Sequence, residues 1–248
     1  MAPLFSIVMP AYNESKNIAQ AISDISNQLN ASGYKFEIIV VDDGSIDDTY
    51  GVVNSLDKKN LKILRFKNNL GKGIALKYGL EHVKGDYVFF IDSDMEIKAK
   101  NINHYISALK IFDLVIASKR HPNSSYTAPF FRKFLSIAFQ NLVRILDNVR
   151  ASDTQSGLKA GRIEPLERIF KHLAVKRYAF DVELLTLAQL LKYRFVEMPV
   201  NIELNSWFSP VEAFRMFLDL LGIAYRLRIT KWYQKRIQVR GSQFFDKP

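Results

Sequence analysis

The apolar run Tyr87-Val-Phe-Phe-Ile91 stops abruptly in Asp92-Ser93-Asp94, and Glu96 follows two residues later. Carboxylates two positions apart at the mouth of a strand offer hard oxygen ligands. Such ligands suit Mg²⁺ or Mn²⁺, which proteins usually hold with one or two carboxylates while substrate phosphates and water complete the shell. A bare Asp-x-Asp is common in solvated turns, so its weight depends on what lies beside it. Two other apolar runs end in the same way. Phe5–Met9 leads into Pro10-Ala11-Tyr12-Asn13-Glu14, and Glu37–Val41 leads into Asp42-Asp43-Gly44-Ser45. Ser45 and Asp48 have the spacing of a capping box, and Gly44 supplies a turn. That leaves Asp42 and Asp43 to accept hydrogen bonds from a base or ribose. Asn69-Leu-Gly-Lys72-Gly73 opens a helical pattern and predicts backbone N–H groups and Lys72 turned towards a diphosphate.

Several chemistries lose their support at this level. The Asn69–Gly73 segment is neither a Walker A loop nor a G-x-G-x-x-G fingerprint, which counts against ATPase and dinucleotide oxidoreductase readings. The four histidines, at 82, 104, 121 and 172, lack metal-ligand spacing, and there is no cysteine. Zinc sites, thiol nucleophiles and disulfide frameworks are therefore not expected.

The elements that must position these residues follow from the apolar pattern. Short β-branched runs at Phe5–Met9, Glu37–Val41, Leu61–Phe66, Tyr87–Ile91 and Leu114–Ala117 show little polar alternation, as strands covered on both faces do. Helical patterns near Ile18–Leu29, Thr49–Leu56, Gly73–Val83 and Ile102–Leu109 lie between them. This alternation predicts an α/β fold with a mostly parallel, Rossmann-like sheet flanked by helices and ligands at the carboxyl ends of the strands. The acids at three strand ends then converge on one rim.

The second half has a different texture. Phe130–Val149 reads as a helix with Lys133, Ser136, Gln140, Arg144 and Asp147 on one polar stripe and Phe, Leu, Ile and Val elsewhere. Pro210–Tyr225 repeats the arrangement, with Glu212, Arg215, Asp219 and Gly222 as its narrow stripe. It leads into Arg226, Arg228, Lys231, Trp232, Tyr233, Lys235 and Arg236. Broad apolar faces beside basic and aromatic residues suit a membrane–water interface, although such helices also pack on sheets. The charge agrees with an anionic partner for this half. Of a net +10, residues 1–125 carry 15 Lys/Arg and 14 Asp/Glu, while residues 126–248 carry 20 and 11. The amino terminus lacks the pattern of a signal peptide, and no stretch approaches the roughly 18 consecutive apolar residues of a spanning helix. A peripheral protein on the cytoplasmic face of a membrane is expected.

Pro10-Ala-Tyr-Asn-Glu14, Val41-Asp-Asp-Gly-Ser45, Asn69-Leu-Gly-Lys-Gly73 and Asp92-Ser-Asp94, in this order, resemble the family-two inverting glycosyltransferases of the GT-A fold. Ser152-Asp-Thr-Gln-Ser-Gly-Leu-Lys159, Phe180-Asp-Val-Glu-Leu184 and Glu197-Met-Pro-Val-Asn201 are similar to the dolichyl-phosphate β-glucosyltransferase branch, with the dolichyl-phosphate mannose synthases as cousins. The resemblance implies a catalytic domain over residues 1–205. Its nucleotide-sugar half is about 1–120 and its acceptor half about 121–205, including an interface helix at 129–149; an amphipathic helix and basic tail occupy 206–248. It implies nucleotide-sugar contacts at Pro10, Tyr12, Glu14, Asp42, Asp43, Lys72, Asp92 and Ser93. A Mg²⁺ or Mn²⁺ ion on the donor diphosphate would be held by Asp92 and Asp94 with Glu96. Arg132 and Lys133 would meet the acceptor phosphate. The family's Gly-Ser-Arg is Ala117-Ser-Lys119 here, followed by Arg120, and its Gly-Ser-Lys before the last helix reads Asn205-Ser-Trp207.

The reaction so implied is an in-line displacement at the anomeric carbon by an oxygen of polyprenyl (dolichyl) phosphate. The donor would be UDP-glucose, and the groups around the reacting atoms would be Asp94, Arg132, Lys119, Arg120 and Asp153. Asp153, Asp181 and Glu183 are candidates for orienting sugar hydroxyls or those cations. A phosphate monoester with its second pKa near ~6 is largely dianionic at neutral pH, so it needs positioning more than a base. The alternatives are the same chemistry with GDP-mannose and a family-two transferase acting on a soluble or protein-linked glycan. A basic nucleic-acid or membrane-binding module without catalysis would leave the three acidic strand ends unexplained, and no nucleic-acid partner is expected.

Overall fold

The computed structural model describes residues 2–93, 102–177, 179–203 and 210–242. Strands β1 (Leu4–Ala11), β2 (Lys35–Asp42), β3 (Leu61–Arg65), β4 (Tyr87–Ile91) and β5 (Leu114–Ser118) alternate with helices α1 (Ile18–Ala31), α2 (Thr49–Asn54), α3 (Lys72–Leu80) and α4 (Ile102–Leu109). Then come β6 (Ser125–Thr127), α5 (Phe130–Asp147), β7 (Leu158–Arg162), α6 (Ile163–Phe170), α7 (Phe180–Leu190), β8 (Phe195–Pro199) and β9 (Asn201–Glu203). The described chain ends with α8 (Pro210–Ala224), a π-helical turn at Tyr225–Ile229, and α9 (Trp232–Ser242).

Seven strands form one sheet in the order β3-β2-β1-β4-β7-β5-β8. It is parallel except for β7, which runs antiparallel to both β4 and β5. Successive residues of each inner strand are buried on opposite faces. Ile7, Met9, Ile38 and Val40 pack with Ile18, Ile22 and Leu29 of α1 and with Tyr105 of α4. Val8, Ile39 and Val41 pack on the other side with Leu76 and Leu80 of α3 and Phe180 and Leu184 of α7. Both faces are dry, which is why these strands lack polar alternation.

The register brings the polar ends level. Ala11 pairs with Asp42, and Val8 with Phe90, so the segments following β1, β2 and β4 emerge side by side. The Ser93 hydroxyl closes the seam by donating to the Pro10 carbonyl at 3.0 Å.

Helix α5 stops at Asn148, whose left-handed φ of 53° reverses the chain. Its orientation divides the polar stripe between the interior and the outside. Gln140 and Asp147 are buried, while Phe130, Ile137 and Ile145 are exposed. Gln140 donates to the Ala151 carbonyl and accepts from Thr154. Part of the polar side of α5 therefore serves the interior, and apolar residues face outwards. On α8, Met216, Leu220 and Ile223 are buried, and Val211, Phe214, Leu218, Leu221 and then Tyr225 form an exposed apolar stripe. The segment read as a basic tail is helical, and Tyr233 of α9 is fully buried.

Candidate functional site

A cavity of about 580 Å³ opens along the carboxyl ends of β1, β2 and β4 and continues beneath α5 and α8. Its first half is lined by Pro10, Tyr12, Glu14, Asp43, Lys72, Asp92 and Ser93. Seven of the eight residues expected to meet a nucleotide sugar thus come together. Asp42 is the exception. Its carboxylate is fully buried below the rim, where Oδ1 accepts the Ser45 N–H at 2.9 Å and Oδ2 lies 3.1 Å from Arg65 Nε.

The loops at this rim are held by acids acting on nearby backbone. Asp43 accepts the N–H groups of Leu70 at 2.7 Å and Gly71 at 2.8 Å, one on each oxygen. Burial pushes its carboxyl up, and these two bonds oppose the shift. Asp42 and Asp43 are therefore not left idle by the turn, contrary to expectation, because the turn and the Asn69–Gly71 loop need them as acceptors. The capping assignment also changes. The Ser45 hydroxyl accepts the Asn13 N–H, and Asp47, not Ser45, receives the Thr49 N–H at the start of α2. Glu14 faces the same rim. Burial raises its carboxyl, as do nearby Asp47 and Asp92, while the Asn17 amide pulls it down.

Asp92 presents its carboxylate to the cavity, where Lys72 Nζ stands 2.7 Å from Oδ1 and 2.9 Å from Oδ2. A cation therefore already sits against this carboxylate, and its partly exposed oxygens are hard donors of the kind a divalent ion takes. Behind it lies Gly157. A Cβ there would come within 2.2 Å of Asp92 Oδ2, so glycine is the residue that lets the carboxylate occupy this place. Asp94 and Glu96 lie outside the described residues, and among those described no cluster of three metal-ligating side chains occurs.

The second half of the cavity is formed by segments that follow β5. Lys119 lines it with Tyr126, Ser136, Gln155, Ser156 and Asp181, and its far wall is apolar: Leu135, Ala138, Phe139, Leu142, Met216 and Phe217. Lys119 and Arg120 differ in role. Lys119 Nζ lies 5.7 Å from the centre of the Tyr126 ring and 3.5 Å from Asp153, whereas the Arg120 guanidinium donates to the Ser136 carbonyl at 2.8 Å and ties α5 down. Asp153 is buried and accepts from Lys119 N and Gln155 N, which makes it a support for Lys119. Lys133, exposed in the first turns of α5, approaches the same Tyr126 ring at 5.7 Å. Arg132 precedes it on the helix, with its side chain outside the described part.

Several supporting residues are set by long-range contacts. Glu197 of β8 accepts from Ser152 N, Ser152 Oγ and Asp153 N, fixing the loop that carries Asp153. Lys159, buried in β7, pairs with Asp181 at 2.9 Å and so fixes a carboxylate in the cavity wall. Glu183 is fully buried and does not line the cavity. It accepts the Ala174 and Val175 N–H groups and the Tyr233 hydroxyl, with Arg226 3.8 Å away. Burial raises the carboxyl of Glu183, and burial and the Glu183 charge raise the phenol of Tyr233. Sequence reasoning missed Arg177, a cavity-lining cation whose only signal was its place just before Phe180-Asp-Val-Glu.

Comparisons with known proteins bear on the family and the fold. The family model described as Glycosyl transferase family 2 matches residues 6–170. A dolichyl-phosphate beta-glucosyltransferase of Dictyostelium discoideum is 33% identical, over 92% of this chain and 76% of the relative. Mouse and Saccharomyces cerevisiae proteins of the same description are 30% and 29% identical, over 93% and 90% of the chain and 78% and 75% of their own lengths. Among solved structures, glucosyl-3-phosphoglycerate synthase of Mycobacterium tuberculosis, in complex with Mn²⁺, UDP and glucosyl-3-phosphoglycerate, superposes with a TM-score of 0.71. It is 21% identical, over 90% of this chain and 79% of that one, a likeness of fold.

Proposed function

Because the chain belongs to glycosyl transferase family 2, we propose that it moves glucose from UDP-glucose to the phosphate of a polyprenyl (dolichyl) phosphate lying in a membrane surface. The observation that carries this reading is one continuous cavity. It starts at the acidic rim around Asp92 and ends in an apolar wall between α5 and α8, next to Lys119. A soluble sugar acceptor has no use for Leu135, Phe139, Leu142, Met216 and Phe217, whereas an isoprenoid chain does. The names of the relatives support glucose and dolichyl phosphate, and the UDP complex of the structural neighbour is consistent with a uridine donor.

In this reading a phosphate oxygen of the acceptor forms a bond to the anomeric carbon as the bond to UDP breaks. The bonding pair leaves with the diphosphate, and the configuration inverts. The nucleophile is already an anion, so no base has to remove a proton. Lys119 and Lys133, both near Tyr126, with Arg132, draw that phosphate to the end of the donor site. Asp181, held by Lys159, faces the cavity where sugar hydroxyls would lie. Asp92 with Asp94 and Glu96 would hold Mg²⁺ or Mn²⁺, which supplies neutralisation of the charge gathering on the leaving diphosphate.

The outward apolar residues of α5 and α8 would rest in the headgroup layer, with Lys and Arg nearby against anionic lipid. The contact so proposed is peripheral, on the cytoplasmic face; among the described residues no helix is long and apolar enough to cross a membrane. One panel tests the proposal: UDP-glucose, GDP-mannose and other nucleotide sugars against a short polyprenyl phosphate, with and without Mg²⁺ or Mn²⁺. Glucosyl transfer that depends on UDP, lipid phosphate and metal is expected. Equal transfer to a soluble glycan, a preference for GDP-mannose or full turnover in chelator would each overturn the corresponding part.

A further inference from the structure

The start of α3 was expected to meet a diphosphate through its backbone, but three of those amides are occupied. Leu70 and Gly71 N–H donate to Asp43, and Gly73 N–H donates to the Lys176 carbonyl at 3.0 Å. With these three amides spent, side chains are the main donors left for an anion at this end of the cavity. Lys72 is one, and it is paired with Asp92. The other cation against this loop is Arg177, which lines the cavity, is exposed, and has no ion pair among the described residues.

We infer that Arg177 binds the diphosphate of the nucleotide donor. This assignment rests on the glycosyl-transfer reading above. Its stem lies along Gly71: a Cβ on that glycine would stand 2.8 Å from Arg177 Cγ and 2.6 Å from the Lys176 carbonyl oxygen. Gly71 has a φ of 104° and gives way to both. The segment carrying Arg177 is pinned from two sides. Glu183 takes the Ala174 and Val175 N–H groups at 2.9 and 2.7 Å and is itself bonded by Tyr233 of α9, while Gly73 holds Lys176. The backbone is thus fixed and the side chain is left reaching into the cavity. Two acids act on it from a distance, Asp43 and Asp219. Both oxygens of Asp43 are already engaged by backbone, so its field orients the guanidinium without a contact that a phosphate would have to displace.

A guanidinium fork matches phosphate oxygens two at a time and keeps its charge at any relevant pH. Charge on the departing diphosphate grows as the glycosidic bond breaks, so the contact strengthens towards the transition state. The acceptor phosphate is the other anion in the reaction, but its cations, Lys119 and Lys133, gather around Tyr126, whereas Arg177 lies against Gly71 beside Lys72 and Asp43.

The test is titration calorimetry of the whole chain with UDP, UMP and uridine in the presence of Mn²⁺, for wild type, Arg177→Ala and Arg177→Lys, with the apparent KM for polyprenyl phosphate measured in parallel. Arg177→Ala is expected to weaken UDP by roughly ten- to a hundredfold, UMP less and uridine not at all, with part of the loss restored by lysine. UDP affinity within about twofold of wild type would overturn the assignment, as would an equal loss for uridine. A raised KM for the lipid phosphate with unchanged UDP affinity would move Arg177 to the acceptor and also overturn it. A wild-type chain that binds no nucleoside diphosphate would overturn the glycosyl-transfer reading itself. The residue is exposed, so an unchanged melting temperature is expected of both variants.

Discussion

Around Tyr12 and Asp43, acidic side chains hold backbone amides of adjoining loops; around Asp153 and Glu183, charged side chains pair with groups from distant elements. Asp43 holds Leu70 and Gly71, Asp42 holds Ser45, and Asp47 holds Ser15 and Thr49. Across the cavity, β7 meets α7 through Lys159 and Asp181, α7 meets α9 through Glu183 and Tyr233, and the π-helical turn reaches α5 where Arg228 donates to the Ile145 carbonyl. The first region is a set of strand ends whose loops are shaped by neutralising N–H groups. The second is a scaffold of helices whose relative placement depends on buried charge. Pre-shaped loops suit a polar nucleotide, and a helical layer joined by a few buried charges suits a surface that meets lipid.

This contrast can be broken from either side. The largest effect is expected at Gly157, the contact point between the two regions. In Gly157→Ala the new methyl would meet Asp92 Oδ2 at 2.2 Å. Misplacing that carboxylate should lower turnover by about a hundredfold or more, since errors near 1 Å at a reacting centre have that cost. Steady-state kinetics with UDP-glucose and a short polyprenyl phosphate would show it, and unaltered kcat would mean that Asp92 does not need its present position.

Next comes the charge buried under α5. Asp147 has no hydrogen-bond partner for either oxygen among the described residues, and burial pushes it up to about 7 against the pull of Arg228 and Arg226. Its folded pKa exceeds its unfolded one, so the folded state holds a proton that the unfolded state has lost. The resulting stabilisation is complete below the ordinary carboxylate range and disappears as pH rises through about 7. Between pH 5 and pH 8 the wild type should lose about 2–4 kcal/mol from this group. Urea unfolding of Asp147→Asn should show a much shallower loss. Glu183, also raised by burial, contributes with the same sign and keeps some slope in the variant. An unchanged slope would remove Asp147 from the account.

The smallest effect concerns the outer face. Phe214, Leu218 and Leu221 are exposed on α8, while Phe217 lines the cavity and has to be spared. Replacing the three exposed residues by serine should reduce flotation with anionic liposomes by roughly tenfold and leave UDP affinity unchanged. Equal flotation would separate the apolar stripe from membrane contact.

Much of the rim around Asp43 and Asp92 is legible in residue order because its signals are local. An apolar run covered on two faces followed by Asp, Asn or Gly is a strand with a polar mouth, and β1, β2 and β4 obey this rule. The far half of the cavity is less legible. Leu158–Arg162 contains a lysine, a glycine and an arginine, yet it is a central antiparallel strand, because Lys159 finds Asp181 and Gly161 packs under Leu166. The polar stripe of α5 is visible in the sequence, but periodicity reports that a helix has two sides and not which of them turns inward.

Residue types and spacing alone determined the fold class, the convergence of three polar strand ends and the kind of chemistry that acids beside an apolar, basic half can support. They do so because burial and backbone bonding act over a few neighbouring residues. Which acids reach the cavity, which lysine or arginine is left for an anion, and which face of α5 meets the outside were decided only on folding. Those outcomes depend on whether a partner such as Arg65, Ser136 or Tyr233 arrives from elsewhere in the chain to neutralise a buried group, and no local pattern records that arrival.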